Sequence, residues 1–180
     1  MRYIALLLLL SSSATTPAQE INVCYNYDCV DQARVKFNRN DLVYINSFFD
    51  EADNPSAERA SIRLAVGAMS QIAGKQTPIH NDKGGNDHEE EIEGRMDCID
   101  HSRTTTEYLK FLEVRGWLQF HRVLSPAHRA PLLFNDHWSA RIEETDSGAQ
   151  YVVDTWFLDN GEPAIIFTLE DWLKGAAPHG

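Results

Sequence analysis

The chain has 180 residues, a formal net charge of -11 and 24% charged residues, which suits one domain of ordinary size. A surface this acidic repels nucleic-acid phosphates and anionic lipids. We therefore expect no nucleic-acid partner and no stable insertion into a membrane.

The first 18 residues have the three zones of a cleavable signal peptide. Arg2 supplies a positive start, residues 4–10 form an apolar run, and residues 11–18 are small and polar. The run is too short for a membrane-spanning helix, which needs ~20 residues, but its length is typical of a signal peptide. We predict cleavage after Ala18 and a periplasmic or secreted location. Residues 19–180 then form a single domain whose net charge, without Arg2, is -12.

The chain has three cysteines, Cys24, Cys29 and Cys98. Cys24 and Cys29 are close in sequence, and in an oxidising compartment we predict that they form a disulfide. Cys98 is then left without a partner, which in an exported protein needs an explanation. Three alternatives remain open at this point: a reactive thiol, a buried inert thiol, or a disulfide between Cys98 and one of the early pair.

Two helices and a long loop are predicted between the early cysteines and Cys98. The first helix covers residues 40–51 with Asn40 as its N-cap, and the second covers residues 56–73 and ends at Gly74. Residues 77–95 have no periodicity and are rich in acids and turn formers. A loop of this length is uncommon unless it is functional or disordered, so we predict that it is mobile or covers the site.

The acidic loop also contains potential metal ligands. His80, His88 and residues 89–91, a run of three glutamates, could bind a metal in principle. Their spacing matches no tight zinc pattern, and a solvated acidic loop is the favoured interpretation.

A helix and a series of strands are predicted from Cys98 onward. The helix covers residues 99–114. Strands follow at residues 117–124, which Ser125 and Pro126 interrupt, at residues 136–144 and at residues 151–157. Thr168 is expected to cap a last short helix at residues 169–174.

Cys98, His137 and Asp154 form a candidate catalytic set. Cys98 begins a helix, where the macrodipole favours a thiolate, but a nearby base is still needed. His137 and Asp154 lie on the two strands of a predicted hairpin, so the carboxylate can orient the imidazole, as in a catalytic triad. An ion pair with His137 would lower the pKa of the thiol. His101, although close in sequence, is given no catalytic role.

Three stretches that contain these residues resemble the transglutaminase-like superfamily, which has a papain-like core. They are MDCIDHSRTTTEYLKFLEVRGW, DHWSARI and YVVDTWF, within residues 94–174, and they are most similar to bacterial transglutaminase-like cysteine peptidases. The resemblance implies that Cys98 is the nucleophile, His137 the base and Asp154 the residue that orients it. In such a core the backbone N–H of Cys98 is one oxyanion donor, and Asn86 is a candidate for the second.

The fold expected from these patterns is α+β, with N-terminal helices and a nucleophile-bearing helix packed on an antiparallel sheet in a papain-like, transglutaminase-like core. The expected function is cysteine-dependent acyl transfer or amide hydrolysis on a protein or peptide substrate, through a thioester and without a cofactor. The alternative is a non-catalytic periplasmic or envelope-associated protein that uses the same fold for binding. A metal-binding protein that uses the acidic loop is the third hypothesis.

Overall fold

The structure is a computed structural model that describes residues 19–86, 88–130 and 136–178. The predicted signal peptide therefore lies outside the described residues. In chain order the elements are β1 (Glu20–Tyr25), β2 (Asp31–Lys36), α1 (Arg39–Ser47), α2 (Pro55–Gly74), a short 3₁₀ helix (Pro78–Asn81), α3 (Cys98–Val114), β3 (His121–Arg129), β4 (His137–Glu144), β5 (Gln150–Asp154), β6 (Ile165–Thr168) and α4 (Leu169–Leu173).

The described chain begins with an antiparallel hairpin, β1–β2, which precedes the two N-terminal helices. Cys24 and Cys29 form a disulfide across its turn, with Cα atoms 4.7 Å apart, while Cys98 is free. The predicted pairing of the early cysteines is thus confirmed. The strands of this hairpin were not predicted because they are short and the turn hides their alternation, whereas the predicted N-terminal helices are present as α1 and α2.

The hairpin turn is docked on the start of α3. Residues 26–29 all have positive φ, between 54° and 65°, a conformation that is unfavourable for residues other than glycine. Their backbone N–H groups are held by carboxylates: Tyr27 and Cys29 donate to Asp100 at 2.8 and 2.7 Å, and Asp28 donates to Asp97 at 2.9 Å. The disulfide and these three hydrogen bonds stabilise the unusual turn.

Asparagines begin the first two helices. Asn38, not the predicted Asn40, caps α1 in a reciprocal arrangement with Asp41, and Asn54 caps α2 with Pro55 as its first residue. Both side chains accept from backbone N–H groups that the helix itself leaves unpaired. The N-cap of α1 was misplaced because two asparagines stand two residues apart.

The second sheet is antiparallel, in the order β3-β4-β5-β6. β3 continues past Ser125 and Pro126, where a break was predicted, because a register shift between Leu124 and Ala127 absorbs the proline. β5 ends at Asp154 and not at residue 157, and β6 was not predicted. Thr168 caps α4 as expected, by accepting from the N–H of Asp171 at 3.1 Å.

Helix α3 lies in the centre of the molecule. One core cluster joins it to the β1–β2 hairpin, to α2 and to one face of the large sheet, and a smaller cluster of Ala127, Val152 and Trp172 covers the opposite face under α4. The fold is therefore α+β, with the Cys98 helix packed on an antiparallel sheet, as predicted.

Candidate functional site

A capping box places Cys98 at the first position of α3. The Asp97 side chain accepts from the N–H of Asp100 at 2.8 Å, and Asp100 accepts in return from the N–H of Asp97 at 3.3 Å. Asp97 is thus the N-cap and Asp100 the third helical residue of a capping box, which fixes where the helix begins. Cys98 is half-buried, and its N–H group is one of those that a helix leaves unpaired at its first turn.

His137 and Asp154 are bonded to each other across neighbouring strands. His137 Nε2 lies 2.8 Å from Asp154 Oδ2, and the two residues are 5% and 1% exposed. Ala140 pairs with Val153 in the β4–β5 ladder, so Asp154 lies opposite the position two residues after His137. The offset predicted from the turn therefore brings the two side chains into contact on one face of the sheet.

The Asp154 carboxylate accepts two further hydrogen bonds. The indole Nε1 of Trp172 donates to Oδ2 at 3.0 Å, and the backbone N–H of Trp156 donates to Oδ1 at 3.2 Å. Both carboxylate oxygens are thus engaged. A buried carboxylate needs such donors, since an unpaired one costs several kcal/mol, on the order of 3–5.

Cys98 contacts strand β4, and the charge of Asp154 acts on its thiol. The backbone N–H of Trp138, the residue after His137, donates to the Cys98 sulfur and lowers the pKa of the thiol. Burial raises the pKa by more than this hydrogen bond lowers it, and the carboxylates of Asp97, Asp136 and Asp154 raise it further. The pKa of Cys98 is therefore raised to about 11. The shift is opposite to the one expected from a thiolate–imidazolium ion pair. Cys98 is consequently a neutral thiol at neutral pH.

Aromatic rings surround the His137 imidazole. The ring centroids of Trp156, Phe157 and Trp172 lie 5.1, 5.6 and 5.7 Å from it. Trp172 is fully buried, whereas Trp156 and Phe157 are partly exposed. His137 is buried among these rings, and the lower dielectric of a buried position strengthens its hydrogen bond to Asp154.

His101 is not available as a base for Cys98. Its Nδ1 lies 2.9 Å from Thr155 Oγ1, and its Nε2 lies 3.1 Å from the buried carboxylate of Asp82. Burial lowers the pKa of His101, but the charge and hydrogen bond of Asp82 outweigh it, so the net shift is upward. His101 therefore ties α3 to two loops and is a structural residue.

The loop before Cys98 does not place Asn86 as an oxyanion donor. The Asn86 amide is buried and donates to Asp82 Oδ1 at 3.2 Å, which also accepts from the N–H of Met96 at 2.9 Å. The side chain is thus occupied in holding the loop together. Proximity in sequence suggested Asn86, and only the folded loop shows what its amide binds.

The metal ligands proposed in the acidic loop are not clustered. His80 Nδ1 lies 3.0 Å from the carbonyl of Thr77, and His88 is exposed. Among the described residues, the group that brings three potential ligands together is Cys24, Cys29 and Asp100, and its two sulfurs are joined in the disulfide. The structure therefore does not support the metal-binding hypothesis for this loop.

A second buried histidine–carboxylate pair lies at the far end of the large sheet. His121 Nδ1 is 2.8 Å from Glu58 Oε1, and both side chains are 0% exposed. Glu58 also accepts from the N–H groups of Gln119 and Phe120. The pair joins α2 to the start of β3, away from the cysteine, and its role is structural.

Sequence reasoning missed two residues that contact the His137–Asp154 pair, Trp172 and Arg129. Trp172 is 18 residues beyond Asp154, on α4, and Arg129 lies opposite His137 in the β3–β4 register. A tryptophan in a short helix is an ordinary core residue by pattern. No spacing rule could have linked it to a carboxylate on β5.

No family model, curated protein or solved structure matches this chain. Within the described part of the chain, no helix has both the length and the apolar character that crossing a membrane requires. The function must therefore be inferred from the geometry of the site.

Proposed function

We propose that the protein is a cysteine-dependent acyl transferase or amide hydrolase with Cys98 as nucleophile, His137 as base and Asp154 as the residue that orients the base. The observation that carries the proposal is the buried His137–Asp154 hydrogen bond of 2.8 Å directly beside the strand amide that contacts the Cys98 sulfur. The resemblance to transglutaminase-like cysteine peptidases names the same three residues.

The chemistry follows from the two ring nitrogens of His137. Asp154 binds Nε2, so this nitrogen carries the proton and Nδ1 is the basic one. As the Cys98 sulfur attacks a substrate carbonyl, Nδ1 takes the thiol proton, and the C–S bond forms as the carbonyl becomes an oxyanion. His137 then gives that proton to the leaving amine, and a thioester remains.

His137 and Cys98 also release the acyl group from the thioester. Water or an amine attacks the carbonyl while His137 Nδ1 accepts its proton, and the proton returns to the Cys98 sulfur as the C–S bond breaks. Because burial raises the pKa of Cys98 to about 11, deprotonation accompanies the attack and does not precede it. The enzyme is thus of the general-base type, without a preformed ion pair.

Features outside the site support an exported enzyme acting on a protein or peptide. The predicted signal peptide and the Cys24–Cys29 disulfide both suit a periplasmic or secreted location. The net charge of -11 favours neutral or basic substrates, because acidic ones are repelled.

One observation favours the second candidate, a non-catalytic binding protein on the same fold. Cys98 is half-buried, and Asp97, Asp136 and Asp154 all raise the pKa of its thiol. A thiol that is never deprotonated would act as a small apolar side chain, and the histidine–aspartate pair would then only stabilise the sheet.

Acylation by p-nitrophenyl acetate separates the two candidates. We expect a burst of nitrophenolate and an acetyl group on the Cys98 peptide by mass spectrometry, lost in Cys98→Ala and slowed ~100-fold or more in His137→Ala. The control is His80→Ala, an exposed histidine outside the site. His101→Ala is unsuitable as a control because it removes the partner of the buried Asp82 Oδ2. Wild-type acylation in His137→Ala means that the base is misassigned, and no acylation from pH 6 to 10 favours the binding protein.

A further inference from the structure

The short helix α4 carries a polar contact to the candidate site. Its Trp172 is 0% exposed, and its indole Nε1 lies 3.0 Å from Asp154 Oδ2. The same oxygen binds His137 Nε2 at 2.8 Å. One carboxylate oxygen therefore accepts from the imidazole and from the indole together.

Arg129 holds Trp172 in this position. Its guanidinium carbon lies 4.7 Å from the centroid of the Trp172 ring, and its Nη1 donates to the backbone carbonyls of Trp172 and Ala176, the latter at 3.1 Å. Arg129 pairs directly with His137 in the β3–β4 register. The strand that flanks His137 thus also fixes the helix that supplies the indole.

The shared oxygen limits how the carboxylate can move. With only the imidazole bound to Oδ2, the Asp154 side chain could rotate about its terminal bond, since such torsions are broad. The indole N–H on Oδ2 and the Trp156 N–H on Oδ1 hold the plane of the carboxylate. A fixed carboxylate keeps His137 in one tautomer and one orientation.

We propose that Trp172 is a positioning residue for the His137–Asp154 pair, so that α4 is part of the catalytic machinery and not only a cover for the sheet. The role rests on the proposed function. Trp172 acts through Asp154, to which its indole N–H is bonded.

The first experiment measures acylation of Cys98 by p-nitrophenyl acetate in Trp172→Phe. The aromatic ring is kept and the N–H is lost, and we expect the acylation rate to fall about tenfold, the cost of one hydrogen bond to a charged group. Trp117→Phe is the matched control, because that ring packs near Phe49 and Phe111 on the far side of the core. The control should keep the wild-type rate.

A second variant separates the N–H from the packing of the ring. Benzothienylalanine at position 172 has sulfur in place of the indole N–H and nearly the same shape, so the core under α4 is preserved. The same fall in rate is expected. A wild-type rate in this protein overturns the proposal, even if Trp172→Phe is slow, because the loss in Trp172→Phe is then one of packing.

A spectroscopic measurement tests the inference without activity. The His137 Nε2–H proton should give a downfield ¹H NMR signal, because it is buried and bonded to a carboxylate. We expect this signal to shift or broaden with benzothienylalanine at position 172 and to stay unchanged in Trp117→Phe. If wild-type Cys98 is never acylated, the proposed function fails and this signal alone decides the positioning role. An unchanged signal overturns it.

Discussion

At the scale of single residues, the charges around Cys98 are negative. Burial is the largest effect that raises the pKa of the thiol, and the backbone N–H of Trp138 lowers it. The pKa is raised further by three carboxylates, those of Asp97, Asp136 and Asp154. A cysteine at a helix start is expected to be acidic from the dipole alone. Here the desolvated position and the three carboxylates outweigh that effect, so sequence position was a poor guide to reactivity.

Asp136→Asn should make Cys98 more reactive. The carboxylate is largely exposed, with 70% of the side chain accessible, so its effect is screened and removing it should lower the pKa of the thiol only modestly. We expect the rate of iodoacetamide alkylation at pH 8 and low salt to rise about two- to threefold as the thiolate fraction increases.

Asp146→Asn, in the exposed turn between β4 and β5, serves as the control for the loss of one negative charge. The gain in Asp136→Asn should shrink at high salt, where exposed charges are screened. An unchanged alkylation rate in Asp136→Asn at low salt would show that burial alone sets the pKa of Cys98.

At the scale of elements, the hairpin turn and the start of α3 form one unit. The carboxylate of Asp100 accepts from three backbone N–H groups, those of Tyr27, Cys29 and Asp97. Burial, followed by the charge of Asp97, raises the pKa of Asp100 to about 7 in spite of these donors. The unit that presents Cys98 thus contains a group that titrates near neutral pH.

The free energy of unfolding should depend on pH through Asp100. Its pKa is raised on folding, so its contribution to stability is fully present below the unfolded pKa of ~4 and is lost as the pH rises to about 7. Urea unfolding should show that the wild type loses about 2 kcal/mol more than Asp100→Asn between pH 5 and pH 8. Asp50→Asn, at an exposed position, should behave like the wild type. Equal pH dependence in wild type and Asp100→Asn contradicts the assignment.

The disulfide should stabilise the same unit. Cys24 and Cys29 are five positions apart, and closing so short a loop is worth about 2 kcal/mol in the chain-entropy model. The double variant Cys24→Ser and Cys29→Ser should lose about that amount in urea unfolding, and reduction of the wild type should cause a similar loss. If neither changes the unfolding free energy, the carboxylate contacts alone hold the turn.

At the scale of the whole molecule, the large sheet has different partners on its two faces. One face packs on α3 in the main core, and the other packs on α4 in the smaller cluster that contains Trp172. Cys98 belongs to α3 and the His137–Asp154 pair to the sheet, and the backbone N–H of Trp138 on β4 reaches the thiol. The candidate site therefore depends on how α3, the large sheet and α4 pack on one another.

The loop before Cys98, which was expected to be mobile or to cover the site, divides into a docked part and an exposed part. Gly85 donates to the carbonyl of Trp156 at 2.7 Å, and a Cβ atom on Gly84 would lie 2.3 Å from the carbonyl of Phe157. The backbone at Gly84 and Gly85 is therefore packed on the segment that follows Asp154. Glu90 and Glu91, by contrast, are exposed.

Limited proteolysis should reflect this division. A glutamate-specific protease should cut the loop first after Glu90 or Glu91, since an exposed backbone with few contacts is the preferred site of nicking. An aspartate-specific protease should leave Asp82 uncut, because this residue is 1% exposed. Early cleavage at Asp82, or full protection at Glu90 and Glu91, would contradict the division of the loop.

The sequence by itself determined the features that depend on neighbours along the chain. The capping box around Cys98, the disulfide between Cys24 and Cys29, the cap of α4 and the hairpin that brings His137 near Asp154 all follow from short spacings. Such features are encoded locally, by side chains that satisfy the nearest backbone groups or by a turn that sets the register of two strands.

Only the tertiary structure decided the features that join distant segments. The bond from Trp172 to Asp154, the pairing of His101 with Asp82 and the high pKa of Cys98 each depend on which elements pack together. The four-residue strand β6 and the opening β1–β2 hairpin are likewise recognisable only from their partners. The reason is physical: burial and long-range hydrogen bonds are set by the packing of layers, which no local spacing specifies.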